Sequence, residues 1–271
     1  AQGLQLGGMQ IAIDAANGAA SGVAQRIFER LGAKVTPLSD NPDGRNINDN
    51  CGATSTEMLQ KTVVDNGLTF GIALDGDADR IMLVDQQGRQ LNGDNLLYIL
   101  AVARKLGGVV ATVMSNLGFE QALDKQGIKL ERVDVGDRYV LEGLKKTGFK
   151  LGGEQSGHII LPELLSTGDG LLAAVQVTRI LADSDKSLAQ WRDEVAMLPQ
   201  ALVNITLPDR SSLNKPEVQA FIDEQTKRLA GGGRVLIRPS GTEPLARVMV
   251  EAPEAEVLAK RIANELKGLV A

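Results

Sequence analysis

The sequence predicts an α/β fold: two tandem βαβ-type three-layer domains with mainly parallel sheets, followed by a C-terminal α+β domain. Three observations predict it. Short apolar runs alternate with amphipathic stretches from Met9 to about Met197. The same grammar is used twice, so that Ile11-Ala12-Ile13 aligns with Val109-Val110-Ala111 and Leu74-Asp75-Gly76-Asp77 with Leu151-Gly152-Gly153-Glu154. Beyond residue 198 the pattern shifts to strands with partial alternation and two longer helices. The expected domains are residues 1–90, 91–198 and 199–271.

Each element has its signal. Met9 to Asp14 reads as a buried strand, Asn17-Gly18 as a turn, and Ala19 to Leu31 as an amphipathic helix. A strand at Lys34 to Leu38, a loop holding Asn41-Pro42-Asp43-Gly44 and a helix near Thr56 to Asn66 follow. The apolar run Leu68 to Leu74 enters Asp75, and Ile81 to Asp85 with the Gln87-Gly88 turn adds a further strand. A linking helix from about Asp94, read as its N-cap, reaches Lys105. Next come strand Val109 to Met114, helix Leu117 to Gln126, strand Lys129 to Val135, helix Arg138 to Thr147 and strand Phe149 to Leu151. Helices near Gly170 to Ala182 and Leu188 to Met197 end this part. The last domain reads as strand Ala201 to Leu207, a polar loop Pro208 to Asn214, helix Pro216 to Leu229, strands Arg234 to Ile237 and Ala246 to Glu251, and helix Glu254 to Leu269 with Leu258, Ile262 and Leu266 in the core.

Composition narrows the function classes. With 271 residues, 43% hydrophobic and 23% charged, the chain has the make-up of a soluble globular protein large enough for two or three compact units. A net charge of -5 argues against nucleic acid or an anionic membrane surface as partner, so any phosphate binding must be local. The single Cys51 excludes an internal disulfide framework and fits a reducing compartment. No apolar stretch is long enough for a bilayer and no signal peptide precedes the first strand, so a cytoplasmic location is expected. The start at Ala1 without methionine fits a processed terminus or a fragment cut at a domain linker.

Three constellations carry chemistry. In Asp75-Gly76-Asp77-Ala78-Asp79-Arg80, three carboxylates at alternate positions would repel one another unless a cation sat among them, and hard ions such as Mg²⁺ take such oxygens. Arg80 adds a planar fork for a phosphate or carboxylate. An EF-hand needs glycine and glutamate where this loop has Arg80 and Gln86, which removes that reading. An aspartyl-nucleophile phosphatase and a solvated acidic turn stay as alternatives. In Gly152-Gly153-Glu154-Gln155-Ser156-Gly157-His158, glycines allow close backbone approach while Glu154, Ser156 and His158, the only histidine, offer the mixed donors and acceptors a polyhydroxyl ligand needs. In Arg238-Pro239-Ser240-Gly241-Thr242-Glu243-Pro244, followed by Arg247, two hydroxyls, a glycine and two arginines suit an oxyanion; an ordinary Ser-Gly hairpin would leave the arginines unexplained. Gly136-Asp137-Arg138 could present Arg138 to a ligand or use Asp137 as a helix cap, and Ser115-Asn116 could touch substrate or merely turn the chain.

These three loops, in this order, resemble the α-D-phosphohexomutase superfamily over essentially the whole chain. The first is similar to its Asp-Gly-Asp-Gly-Asp-Arg metal loop, the second to its sugar-recognition loop, the third to its Arg-x-Ser-Gly-Thr-Glu-Pro phosphate loop. Gly-Glu-Gln-Ser-Gly-His, Pro42 to Asn48 and Val135 to Tyr139 resemble the glucosamine branch, whereas phosphomannomutase/phosphoglucomutase relatives more often carry Met at the Gln155 place. The resemblance implies interconversion of glucosamine 6-phosphate and glucosamine 1-phosphate through a phosphoserine and a sugar bisphosphate. It implies Mg²⁺ on Asp75, Asp77 and Asp79, Arg80 beside the transferring group, Glu154 and Ser156 on sugar hydroxyls, His158 supporting that loop, and Arg238, Ser240, Gly241, Thr242 and Arg247 on the non-reacting phosphate.

Two departures qualify the likeness. Ala78 stands where the superfamily usually has glycine, which removes no ligand. The phosphorylated serine belongs to an N-terminal domain with a Thr/Ala-Ser-His-Asn-Pro type loop, and no such sequence occurs in these 271 residues. What is present resembles the second, third and fourth domains. That domain is then an expected partner, and the chain alone is expected to be inactive. A non-catalytic phosphosugar-binding protein is the second reading.

Overall fold

The computed structural model describes residues 3–240 and 243–270. It begins with β1 (Gln10–Asp14), α1 (Val23–Arg30), β2 (Lys34–Leu38), α2 (Glu57–Asp65), β3 (Phe70–Leu74), β4 (Ile81–Asp85) and β5 (Gln90–Leu91). These strands form one sheet in the order β2-β1-β3-β4-β5. β1 runs parallel to both neighbours, while β4 returns antiparallel to β3 and β5 to β4. All five residues of β3 are buried, as expected of an apolar run covered on both faces. Gly71 makes room for α2, since a Cβ there would lie 2.7 Å from Leu59.

The second series comprises α3 (Gly93–Ala103), β6 (Gly108–Thr112), α4 (Leu117–Lys125), β7 (Lys129–Val133), α5 (Asp137–Thr147), β8 (Gly152–Gly153), β9 (Ile159–Ile160), α6 (Gly170–Ala182) and α7 (Leu188–Asp193). Its sheet has the order β7-β6-β8-β9, parallel except for the last hairpin, and so repeats the first sheet's topology. The register differs from the one the sequence suggests. Counted from the final hairpin pairs, Leu74↔Ile81 and Gly153↔Ile159, Glu154 falls opposite Asp75 rather than Asp77. Two further expectations are corrected. The cap of α3 is Asn92, whose side chain accepts the N–H of Asp94 and Asn95 while Asn95 reaches back, a reciprocal capping box. Asp137 lies inside α5, and Gly136 precedes it at φ 132, a conformation suited to glycine.

The third series comprises β10 (Gln200–Thr206), α8 (Pro216–Leu229), β11 (Arg234–Pro239), β12 (Leu245–Glu251) and α9 (Ala255–Val270), with one 3-10 turn at Arg210–Asn214 in the polar loop. The sheet is antiparallel in the order β10-β12-β11. Ala259, Ile262, Ala263 and Leu266 of α9 pack on it with Val248 and Val250, while Leu258 is partly buried at the margin.

The chain divides into two compact units. One holds the residues up to Ser115 and Phe119–Ala196, and with them both α/β sheets; the other holds Asn116–Gly118 with the residues from Met197 on. Asn116 serves structure, because its amide exchanges hydrogen bonds with the main chain of Leu198, donating at 3.0 Å and accepting at 3.0 Å. Among the described residues no helix is long and apolar enough to cross a membrane.

Candidate functional site

Asp75 leaves the carboxyl end of β3, where sheets of this kind place ligands. The turn closes through Ala78 N–H donating to Asp75 O at 3.0 Å, with Ala78 left-handed at φ 61. It turns the alternate carboxylates inward: Asp75, Asp77 and Asp79 each offer an oxygen, and the three lie within 4.8 Å of one another. Arg80 N–H donates to Asp75 Oδ1 at 3.1 Å, and its Nε stands 3.7 Å from both Asp75 Oδ2 and Asp79 Oδ1. Burial pushes the Asp75 carboxyl above the usual carboxylate range; the Arg80 N–H opposes this, and the charges of Asp79 and Asp77 reinforce it. Asp79 Oδ1 is buried without a hydrogen-bond partner. Crowded carboxylates, one of them destabilised in its charged form and one with an oxygen that accepts no hydrogen bond, fit a hard divalent cation.

The left-handed Ala78 carries a modest cost. Holding an L side chain there costs about 1–2 kcal/mol, offset by the larger chain entropy that glycine loses on folding, roughly 0.5–1 kcal/mol. Ala78→Gly is therefore expected to stabilise the chain by about 0.5–1 kcal/mol. A urea titration showing destabilisation instead would mean that the methyl group packs usefully.

The second constellation sits between β8 and β9 and is joined to the first through the main chain. Ile81 N–H donates to Gly157 O at 3.1 Å, and Arg80 and His158 form an isolated antiparallel bridge. Gly157 adopts φ +93, and a Cβ there would fall 2.2 Å from Ile81 O. His158 is buried with its Nδ1 3.2 Å from Asp79 Oδ2, and Gly168 leaves space for the ring. Its tie is thus to the acidic loop rather than only to its own. Glu154 Oε1 accepts the N–H of Gly136 at 3.1 Å, and Gly93 N–H donates to Gln155 O at 3.0 Å. Gly93 also lets α3 start against the loop, since a Cβ there would meet Glu154 O. Glu154 and Ser156 stay half-buried. Arg138 is exposed, paired with Glu142 at 3.3 Å and stacked on Tyr139 at 5.0 Å. Sequence reasoning missed the packing roles of Gly93 and Gly168 and the backbone conformation of Gly136; an Asn-Gly pair and an isolated glycine before a helix were the available signals.

The third constellation lies in the other unit. β11 and β12 place Arg238 and Arg247 as direct cross-strand partners. Like charges so placed destabilise a sheet unless an anion lies near. Ser240 is buried; its N–H donates to Leu245 O at 2.7 Å, and its Oγ lacks a hydrogen-bond partner. Arg247 Nη2 is 3.6 Å from Glu243, while its Nε is buried without a hydrogen-bond partner. Gly241 and Thr242, the other expected contributors, lie outside the described residues.

Comparison with known proteins gives a consistent set of likenesses. Family models match in succession: phosphoglucomutase/phosphomannomutase alpha/beta/alpha domain II over residues 2–88, domain III over 92–197, and the C-terminal domain over 202–268. A phosphoglucosamine mutase of Streptococcus gordonii is 47% identical over 263 residues, covering 94% of this chain and 58% of the relative. One from Alcanivorax borkumensis is 48% identical over 262 residues, covering 94% and 59%. The chain thus spans less than two thirds of the curated relatives it matches. The crystal structure of Aspergillus fumigatus N-acetylphosphoglucosamine mutase in complex with GlcNAc-6P and magnesium superposes with a TM-score of 0.80 at 24% identity, over 98% of this chain and 67% of that one. A phosphoglucomutase/phosphomannomutase family protein from Burkholderia thailandensis gives 0.76 at 23%, over 96% and 60%. These two structures share the fold.

Proposed function

The chain belongs to the phosphoglucomutase/phosphomannomutase family, and from that premise we propose that it is the cation-, sugar- and phosphate-holding part of a hexosamine-phosphate mutase. The observation that carries this reading is the main-chain joint between Ile81 and Gly157, which sets the acidic loop beside the Glu154 loop within one unit. The reaction would interconvert glucosamine 6-phosphate and glucosamine 1-phosphate. The choice of glucosamine rests on the relatives named phosphoglucosamine mutase at 47% and 48% identity.

In the proposed cycle a phosphoserine, supplied by residues outside these 271, gives its phosphoryl group to a free sugar hydroxyl. That forms a sugar bisphosphate; after the sugar reverses in the site, the other phosphoryl group returns to the serine. Asp75, Asp77 and Asp79 would hold a magnesium ion, whose chemistry there is to neutralise charge on the phosphoryl oxygens. Arg80 stands beside the same carboxylates and can pair with the transferring group once they are engaged. Glu154 has one oxygen fixed by Gly136, which orients the carboxylate for sugar hydroxyls with Ser156 beside it. His158 holds Asp79. Arg238, Ser240, Gly241, Thr242 and Arg247 would clamp the phosphate that does not react.

The test is an assay on glucosamine, mannose and glucose phosphates with Mg²⁺ and a sugar bisphosphate activator. The full-length protein is expected to prefer the glucosamine phosphates, and the 271-residue chain alone to turn over none. Robust turnover by the chain alone, or a preference for mannose phosphates, would overturn the proposal.

A further inference from the structure

Asp14 ends β1 and is fully buried, yet among the described residues it forms no ion pair. Both of its oxygens are taken by main-chain donors: Oδ1 accepts Ala16 N–H at 2.9 Å, and Oδ2 accepts Gly52 N–H at 2.9 Å. Burying a carboxylate is costly, so a pairing made only with backbone implies that the backbone geometry it fixes matters.

That geometry relies on left-handed backbone, strained at Ala16, and lies against the acidic loop. Ala16, Asn17, Asn48 and Gly52 all have left-handed φ, at 54°, 48°, 58° and 70°. The first of the two tied segments reaches Gly76: Ala19 N–H donates to Gly76 O at 2.8 Å, and a Cβ on Gly18 would lie 2.3 Å from that oxygen. The second covers Gly76 from another side with the Ile47 and Asn48 side chains, and Asn48 N–H donates to Ala16 O at 3.0 Å. Gly52 lies against Leu74, where a Cβ would come within 2.4 Å of the carbonyl oxygen. Leu74 and Gly76, on either side of Asp75, are therefore both held by segments that Asp14 ties together. The repeated sheet offers an internal contrast. β6 ends in Thr112, whose Oγ1 accepts the N–H of Met114 at 3.3 Å, and among the described residues no acidic triad follows β8, the counterpart of β3.

We propose that Asp14 is a positioning residue for the divalent-cation loop: through Ala16 and Gly52 it fixes Leu74 and Gly76, and so the orientation of the three carboxylates. This rests on reading Asp75, Asp77 and Asp79 as a cation site.

The experiment is a Mn²⁺ titration, read by electron paramagnetic resonance, of the full chain and three variants. Asp14→Asn turns one acceptor into a donor facing an N–H, and Asp14→Thr leaves one side-chain oxygen in place of two, with the residue type that ends β6. Asp85→Asn is the control, since Asp85 is equally buried and accepts main-chain N–H groups of Gln87 and Arg89 in a different turn. Both Asp14 variants are expected to lose Mn²⁺ affinity by about tenfold or more, while Asp85→Asn loses thermal stability and keeps its affinity. A folded Asp14 variant that binds Mn²⁺ like the parent, or a control that weakens equally, overturns the proposal. So does failure of both Asp14 variants to reach a native far-ultraviolet dichroism spectrum, which would assign Asp14 to folding alone. Absence of Mn²⁺ binding by the parent chain is a separate outcome that overturns the cation reading itself.

Discussion

Asp77→Asn is expected to lower Mg²⁺ affinity on the order of 100-fold while making the cation-free chain slightly more stable. The opposite signs follow from where each carboxylate stands. Asp77 is exposed and makes no hydrogen bond among the described residues, whereas Asp75 accepts from Arg80 and Asp79 faces His158. Removing Asp77 therefore takes away a ligand without breaking a turn. Three carboxylates within 4.8 Å repel one another by about 1 kcal/mol per pair even at the screening of bulk water, and by more when part-buried. Neutralising one relieves that repulsion, so the cation-free melting temperature should rise and the Mg²⁺-dependent increment should shrink, by up to about 2.7 kcal/mol at saturating Mg²⁺. Calorimetry with and without Mg²⁺ separates the two effects. A variant that keeps the Mg²⁺ increment would show that Asp77 is not a ligand.

Gly157→Ala is expected to cost about 4 kcal/mol. Part is strain, since φ +93 is unfavourable for alanine by roughly 1–3 kcal/mol. The rest is collision: the new Cβ would lie 2.2 Å from Ile81 O and 2.9 Å from its carbonyl carbon, which are backbone atoms and cannot rotate away. The bond from Ile81 N–H to Gly157 O and the Arg80–His158 bridge must then open, and Asp79 parts from His158. Gly148 is the matched control, with φ +73 and open space where a Cβ would go, and its alanine variant should cost only about 1 kcal/mol. Equal losses in chemical denaturation would rule out the collision.

Much of this was legible in the sequence, for physical reasons that differ by element. The acidic turn announces itself because three like charges in five residues need an external partner. Helices Gly170–Ala182 and Pro216–Leu229 lie where their signals put them, the first behind Asp169 as cap and the second with proline in its first turn. Strand β8 was missed in favour of Phe149 to Leu151, because Gly152 and Gly153 have no side chains to declare a strand and pair through position alone. The cap of α3 was misplaced by two residues because Asn92 and Asp94 are both competent caps, and only the reciprocal bond from Asn95 decides between them. The partner of His158 was hidden, since Asp79 lies far off in sequence and the two meet through a bridge that no local pattern encodes. Asp14 was visible as an acid ending an apolar strand, but its meaning depends on two backbone amides that only the fold brings together.

The joint between the acidic loop and the Glu154 loop is written largely in main-chain atoms of Ile81, Gly157, Arg80 and His158, with the His158 imidazole against Asp79 as its side-chain contact. Gln155 meets α3 through its carbonyl oxygen, which any residue supplies. A main-chain bond is indifferent to the side chain its residue carries, so the two loops can keep this joint while side chains along them change.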